Sequence, residues 1–143
     1  MTPGDRFTIE PTAGNHFAWS NTRLALERTF MAWIRTAVSL ISFGFTIVQF
    51  FQRMPQMESA AAVRPLNPGA PRILGLALIG AGVISLAIST LQYRKGVQYL
   101  WSEKYRDIAG MDGRAHTSPV LTVALMIVLI GLFAFLSVFV RLP

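Results

Sequence analysis

Three segments of the chain contain no charged residue. The second and third are long enough to cross a membrane as helices, and the first is a little short, so that Arg35 would lie near the interface. The three segments cover residues 36–51, 73–93 and 120–140, and none of them holds an Asp, Glu, Lys, Arg or His. A bilayer core takes about 20 residues of helix, and only structures that satisfy their own backbone hydrogen bonds can lie in it. The sequence therefore predicts an all-α membrane protein with three transmembrane helices, at about residues 30–52, 73–93 and 120–140.

The rest of the composition agrees with this class. Hydrophobic residues make up 52% of the 143 positions and charged residues only 14%, whereas soluble domains carry about 25% charged residues. Residues 1–20 contain two prolines and two glycines without a sustained period, which predicts a mobile lead ahead of a membrane domain over residues 21–143. Without Cys, the chain has no disulfide framework and no thiolate metal site.

Lys and Arg residues are unevenly placed about the three segments. Nine of them lie before residue 36 or between the second and third segments, and four lie on the other side. The positive-inside rule therefore predicts a cytoplasmic N-terminus. Membrane insertion also explains the net charge of +6, so we expect contacts with membrane lipids and no nucleic-acid binding.

The first predicted helix carries a polar stripe. Besides Asn21, the stripe residues are Arg28, Arg35, Ser39, Ser42, Thr46, Gln49 and Arg53. On a helical projection the stripe residues fall within roughly 80° of arc, and the rest of the span is apolar or small. Charge placement puts Arg28 and Arg35 at the cytoplasmic mouth of the span and Arg53 at the outer one.

Two interpretations of this polar stripe remain open from the residues alone. In the first, it lines a pore or vestibule that attracts anions to Arg28 and Arg35. Three spans would fill their own centre with side chains, so such a path requires a homo-oligomer with stacked arginine rings on its axis. In the second, the hydroxyls bond backbone carbonyls and the arginines reach lipid phosphates. Glu27 is placed to meet a basic residue of a neighbouring helix or protomer.

Two aromatic segments flank the membrane spans. Trp33 is an expected interfacial residue at the start of the first span. Residues 93–108 show aromatic and aliphatic side chains at helical spacing, which predicts an amphipathic helical segment at the cytoplasmic interface after the second span. Either it faces lipid, or Trp101 and Lys104 dock a partner membrane protein.

No catalytic or cofactor chemistry can be assembled from these residues. The seven carboxylates are scattered through loops and interfaces, His16 has no second metal-ligand type at i+3 or i+4, and His116 lies in a segment predicted to be an exposed loop. We therefore expect no enzyme activity, no metal and no cofactor.

The run from Leu24 to Thr36, LALERTFMAWIRT, resembles the hallmark of the YidH-like family of small bacterial inner-membrane proteins. The pattern of that family is approximately L-A-x-E-R-T-x-x-A-W-x-R-T. This resemblance implies three transmembrane helices in the bacterial inner (plasma) membrane. A related domain forms the membrane part of vacuolar transporter chaperone subunits, whose assembly conducts polyphosphate. By that similarity Glu27 and Arg28 match the shared core, and Arg28 is the best candidate for an anion-facing residue, while Arg35 fits the bacterial pattern.

The leading expectation is an oligomeric inner-membrane protein that binds or conducts a phosphate-like anion along its first helix. The alternative is a non-conducting scaffold or accessory subunit for a partner membrane protein, which would use the basic segment around Trp101. The oligomeric arrangement separates the two, because conduction requires the stripe to face a shared axis.

Overall fold

The computed structural model describes residues 10–53, 69–110 and 119–140 of the chain, and these ranges are almost entirely helical. Helix α1 spans Ala13–Arg53 and helix α2 spans Ala70–Leu100. A single 3-10 turn, Glu103–Tyr105, leads into the short helix α3, Arg106–Ala109, and helix α4 spans Pro119–Val140. Residues 1–9, the Pro-rich connection at 54–68, and the segment 111–118 with His116 lie outside the described residues, together with residues 141–143.

The prediction of an all-α chain with three apolar helices is confirmed. Helices α1, α2 and α4 are each long and apolar enough to cross a membrane. Helix α2 lies antiparallel to both of the others and packs against both, because Phe30 meets Tyr93 at one end of the bundle and Val48 meets Ile79 near the other. We call the end with Phe30 and Tyr93 the basic end, since Arg28, Arg94 and Lys95 lie there.

Two helices extend further than their apolar segments predict. Helix α1 begins at Ala13 rather than at Asn21, because Thr12 caps it: the Thr12 hydroxyl accepts a hydrogen bond from the Asn15 backbone N–H at 3.3 Å. Helix α2 continues to Leu100, so the predicted interfacial segment at 93–108 is split between α2, the 3-10 turn and α3. Its position at a membrane interface stays a prediction.

Glycines bring α1 and α2 into backbone contact. A Cβ added to Gly75 would overlap the Val48 side chain and lie 2.7 Å from the Gly44 carbonyl oxygen, and one added to Gly82 would lie 2.9 Å from the Ala37 carbonyl oxygen. Close approach of this kind is how membrane helices gain packing energy, since lipid supplies no hydrophobic drive between them. The seven-residue spacing of Gly75 and Gly82 therefore marks the buried face of α2.

Small residues four apart on α2 do not mark that face. The sequence places Ala77, Ala81, Ser85 and Ser89 in one row, but Ala77 and Ala81 are exposed and only Ser89 is buried. A four-residue step turns the helix by about 40° beyond a full turn, so such a row leaves the interface, whereas a seven-residue step falls short of two full turns by only about 20°. The seven-residue row ends on Ser89, next after Gly82.

A cluster beyond the apolar spans ties the start of α1 to the end of α2. Trp19, Leu100, Ile108 and Ala109 form this buried group, which we call the Trp19 cluster. The Trp19 indole Nε1–H donates to the Leu100 carbonyl at 3.0 Å, and His16 Nδ1 lies 2.7 Å from the Ile108 carbonyl oxygen. A carbonyl only accepts, so Nδ1 carries the proton. The chain leaves α3 through Gly110, whose φ of 63° suits glycine.

We predict that Gly75→Ala destabilises the bundle and Gly80→Ala does not. The added methyl at position 75 meets the Gly44 backbone at 2.7 Å, whereas at position 80 the nearest atom is Phe135 Cε2 at an ordinary 3.6 Å. Overpacking of this kind costs about 1–3 kcal/mol. Thermal unfolding in detergent, followed by circular dichroism, should show a lower midpoint for Gly75→Ala only. Equal midpoints for the two variants would contradict the close contact.

We predict that Trp19→Phe loosens the Trp19 cluster without unfolding the spans. The change removes the indole donor to Leu100 and leaves that buried carbonyl unpaired, which corresponds to about a five- to tenfold rise in local opening. Hydrogen exchange read by mass spectrometry should rise at residues 13–20 and 100–109 and stay unchanged in α4. Phe17→Leu is the matched control, because Phe17 is exposed on the same turn. Exchange that rises throughout the chain, or nowhere, would contradict the assignment.

Candidate functional site

The polar stripe of α1 lies on the face that the rest of the chain leaves uncovered. The buried residues of α1 are Trp19, Phe30, Ala37, Ile41, Gly44 and Val48. On a helical projection the stripe is centred roughly 150° away from them. Arg28, Arg35, Ser39, Ser42, Thr46 and Arg53 are accordingly exposed, and Gln49 is half-buried. Helices α2 and α4 therefore do not cover the stripe.

Arg28 and Arg35 have no polar partner in the part of the chain that the structure describes. Neither guanidinium makes a hydrogen bond or an ion pair with a described residue. Placing the Arg35 charge in the apolar zone costs more free energy than placing the Arg28 charge there. Arg35 lies five residues, or about 7.5 Å, further along α1 than Phe30, whereas Arg28 precedes Phe30. Phe30, Ala37 and Ala124 share one core cluster, so Arg35 stands alongside the apolar α4 rather than beyond its end. A charge at that depth requires water, an anion, another chain or a lipid phosphate.

The hydroxyls of the stripe are partly satisfied within α1. Ser39 donates to the Arg35 carbonyl at 2.9 Å and Thr46 donates to the Ser42 carbonyl at 2.8 Å. Such i to i−4 bonds satisfy the donor of each hydroxyl and leave its oxygen facing outward. The hydroxyls alone thus fit lipid, protein or water equally well, and the arginines set the requirement on what covers the stripe.

Large apolar side chains border the stripe on both sides. Phe43 and Phe50 lie along one edge, Val38 and Phe45 lie along the other, and all four are exposed. The outward face of α1 is therefore a narrow polar strip between two apolar strips. A helix with this pattern can contact an apolar neighbour on each side through its two apolar strips, while its polar strip faces a polar environment between those neighbours.

Glu27 pairs within its own helix. Its Oε1 lies 3.7 Å from Arg23 Nε, one turn earlier, and both side chains are about one-third exposed. An exposed i, i+4 pair contributes little stability, typically below about 1 kcal/mol. The charge partner of Glu27 in the chain is thus Arg23, and Glu27 does not neutralise the adjacent Arg28.

The residues predicted to lie at the interface or to bind a partner have different surroundings. Trp101 is half-buried and packs edge-on against Trp19, with ring centroids 5.5 Å apart. Lys104 is exposed in the 3-10 turn, and Trp33 is exposed near the basic end. Trp101 thus contributes to the packing around Trp19 and keeps part of its surface accessible, and its contact with a partner stays a prediction.

Hydrogen bonding between two tyrosines stabilises the surface next to the Trp19 cluster. The Tyr99 and Tyr105 hydroxyl oxygens lie 2.8 Å apart. The hydrogen bond with Tyr99, together with burial, raises the pKa of Tyr105 above its usual value. The Tyr105 phenol is therefore neutral at physiological pH and contributes no negative charge to the basic end.

Sequence reasoning missed a cavity between α1 and α2 near the basic end, which we call the α1–α2 cavity. Its volume is about 100 Å³. Its walls are Leu26, Thr29, Phe30 and Trp33 from α1 and Ser89, Gln92 and Tyr93 from α2. Only the seven-residue row through Gly75 and Gly82 could have singled out Ser89 as a buried residue.

Arg72 also has a role that its sequence position does not reveal. Its Nη2 donates to the Val138 carbonyl at 3.2 Å. The positive charge there interacts favourably with the negative end of the α4 helix dipole. Its Nε is sealed from solvent without a partner. Arg72 thus ties the start of α2 to the end of α4.

Within the described ranges, no group of three or more His, Asp or Glu side chains is placed to hold a metal ion. The polar stripe and the α1–α2 cavity are the two features of the described ranges that we consider as binding sites.

Comparison with known proteins identifies the domain. The model of a family described as a domain of unknown function, DUF202, matches residues 21–99, which is more than half of the chain and includes the run from Leu24 to Thr36. This domain family is found in YidH-like small membrane proteins, so the predicted resemblance is confirmed. Searches of curated proteins and of solved structures found no match. With its three apolar helices, the chain is a multi-pass membrane protein that belongs to the DUF202 family.

Proposed function

We propose that several copies of this chain assemble in the bacterial inner membrane with the polar stripes of α1 around a common axis. The assembly binds small anions such as phosphate and conducts them. Its basic end lies on the cytoplasmic side, where the excess of Lys and Arg favours it. Arg28 and Arg35 form two rings near the cytoplasmic mouth, and Arg53 forms a third near the opposite mouth.

One observation carries this proposal: the Arg35 guanidinium is exposed alongside an apolar helix and has no partner among the described residues. Lipid tails cannot solvate a guanidinium, so membrane-embedded arginines face a bundle interior or a water-filled cavity. The bundle interior of one protomer is on the other side of α1. A shared aqueous axis satisfies Arg35 and also accepts the outward hydroxyl oxygens of Ser39 and Thr46.

The fold agrees with a path between protomers rather than within one. Glycine contacts close the α1–α2 interface to backbone distance, and Gly131 of α4 packs on Val83 and Ile41, so the three long helices pack closely where they meet within the described ranges. The apolar strips on both sides of the stripe supply the contacts between neighbouring copies. Packing in a ring would bury Phe43 of one copy near Phe45 of the next.

Charge explains the preference for anions. Glu27 is engaged by Arg23, so each protomer presents Arg28 and Arg35 as uncompensated positive charges. Like charges in a ring repel one another, and an anion on the axis relieves that repulsion. The hydroxyls of Ser39, Ser42 and Thr46 then offer neutral hydrogen-bonding groups along the deeper part of the path.

We predict anion flux through the reconstituted protein that depends on Arg28 and Arg35. Phosphate and chloride flux into proteoliposomes should fall at least about tenfold in Arg28→Ala and Arg35→Ala, because each change removes one charge per protomer from a ring. Arg35→Lys should retain most of the flux. Arg94→Ala is the control, since Arg94 is an exposed cation at the same end on α2. Intact oligomers without flux, or flux that neither alanine variant changes, would overturn conduction.

We also predict that copies meet through opposite edges of the stripe. In a ring the Phe43 edge of one α1 faces the Phe45 edge of the next, so a double Phe43→Cys, Phe45→Cys variant treated with a short bifunctional thiol reagent should form a ladder of covalent multimers. Each single variant should stop at a dimer. The control pair Ile84→Cys, Ile88→Cys lies on the exposed face of α2 and should give no ladder. A double variant that stops at a dimer would exclude the ring.

A further inference from the structure

The α1–α2 cavity combines an apolar side with hydrogen-bonding groups. Leu26, Phe30 and Trp33 supply the apolar surface, and Phe30 stacks on Tyr93 with ring centroids 4.5 Å apart. Across from them lie the Ser89 hydroxyl and the Gln92 amide. This lining suits a ligand that carries both a hydrocarbon part and a hydrogen-bonding group, such as an acceptor for the hydroxyl and amide donors.

Ser89 is the strongest indication of a ligand. Its side chain is only 5% exposed, yet its hydroxyl makes no hydrogen bond to any residue in the described ranges. Thr90, the next residue along, does bond the Leu86 carbonyl four residues back, at 2.7 Å. The Ser89 hydroxyl borders the cavity with its donor unused, so an acceptor that enters the cavity can receive a hydrogen bond from it.

The place of the cavity in the bundle decides what can enter it. Its walls come from α1 and α2 alone, on the level of the Phe30–Tyr93 stack, where α4 has only just begun with Val120 and Leu121. This level is the edge of the apolar zone, where Trp33 fits the membrane interface. In a bilayer, the molecules that present an ester carbonyl and a hydrocarbon chain at that depth are phospholipids.

The size of the cavity limits how much of the lipid it holds. At about 100 Å³ it is smaller than the roughly 150 Å³ cavity that accepts benzene. It thus fits the ester carbonyl and the first methylenes of one acyl chain, while the rest of the chain lies along the outer surface of the helices.

A cation stands where the head group of that lipid would lie. Lys95 follows Gln92 by three residues, so it lies on the same side of α2 and one turn nearer the basic end. It is exposed and pairs with no acidic residue in the described ranges. An ammonium in this position favours a lipid whose phosphate charge is not offset by a choline group.

We propose that the α1–α2 cavity is a binding site for one anionic phospholipid of the surrounding leaflet. Ser89 and Gln92 donate to an ester carbonyl, Leu26, Phe30 and Trp33 contact the first methylenes, and Lys95 binds the phosphate. The site does not rest on the proposed conduction, because the cavity opens on a different side of α1 from the polar stripe.

Native mass spectrometry of the full chain tests this site. The detergent-solubilised protein is titrated with phosphatidylglycerol or with phosphatidylcholine of the same acyl chains, and the dissociation constant of the first bound lipid is measured. We expect phosphatidylglycerol to bind about three- to tenfold more tightly than phosphatidylcholine, and Lys95→Gln to remove that preference. Ser89→Val and Gln92→Leu should each weaken both lipids by about three- to tenfold, since each removes a donor.

Matched variants guard against general effects of mutation. Gln98→Leu and Arg94→Gln make the corresponding changes on exposed positions of α2 that point away from the cavity, and both should bind as the wild type does. Should Ser89→Val disturb packing, its unfolding midpoint will fall, and the exposed Gln92→Leu then decides. The proposed site is overturned if the wild type binds both lipids equally, or if Gln92→Leu and Lys95→Gln bind as the wild type does. It is also overturned if the control variants lose as much affinity as the Gln92→Leu and Lys95→Gln variants lose.

Discussion

The close backbone contact between α1 and α2 at Gly44 and Gly75 determines what the rest of the bundle can do. A Cβ on Gly44 would lie 2.6 Å from the Gly75 carbonyl oxygen, so the two helices touch without side chains between them. This contact fixes which face of α1 is buried, and the buried face is narrow. The polar stripe is left on the opposite face, and the protomer has no further helix in the described ranges to cover it. Packing inside the protomer thus leaves the polar stripe to be covered by a group from outside the protomer.

Polar satisfaction in the membrane then distinguishes between the stripe residues. Ser39 and Thr46 can bond carbonyls of their own helix, and such bonds are compatible with any environment. A guanidinium at the depth of Arg35 has no such option, because one intrahelical carbonyl cannot satisfy five donors and a full charge. Arg35 and, at the membrane edge, Arg28 therefore set the requirement on what covers the stripe. The hydroxyls follow from where those arginines lie.

The apolar architecture of this chain could be predicted from the sequence because lipid imposes a simple length rule on charge-free helices. The polar stripe could also be predicted, since residue spacing alone fixes which side chains share a face of a continuous helix. Contacts between elements were less accessible. Hydrogen bonds from His16 and Trp19 to backbone carbonyls about eighty to ninety residues later leave no local pattern, so the Trp19 cluster could not be predicted. The start of α1 at Ala13 does have a local signal, the Thr12 cap. Glu27 pairs with Arg23 on its own helix, and the contact of Glu27 with a neighbouring helix or protomer stays a prediction.

The circumference of α1 near the basic end divides into three sectors with different neighbours. One sector faces α2 and α4 through Phe30 and Ala37, and the stripe with Arg28 and Arg35 lies on the far side. The third sector, with Thr29 and Trp33, borders the α1–α2 cavity. On a helical projection that sector is centred roughly 130° from the stripe. If the stripes of several copies face a common axis, each cavity therefore opens toward the periphery of the assembly. That is where bilayer lipid is found, so an aqueous axis and a lipid site can be served by the same helix.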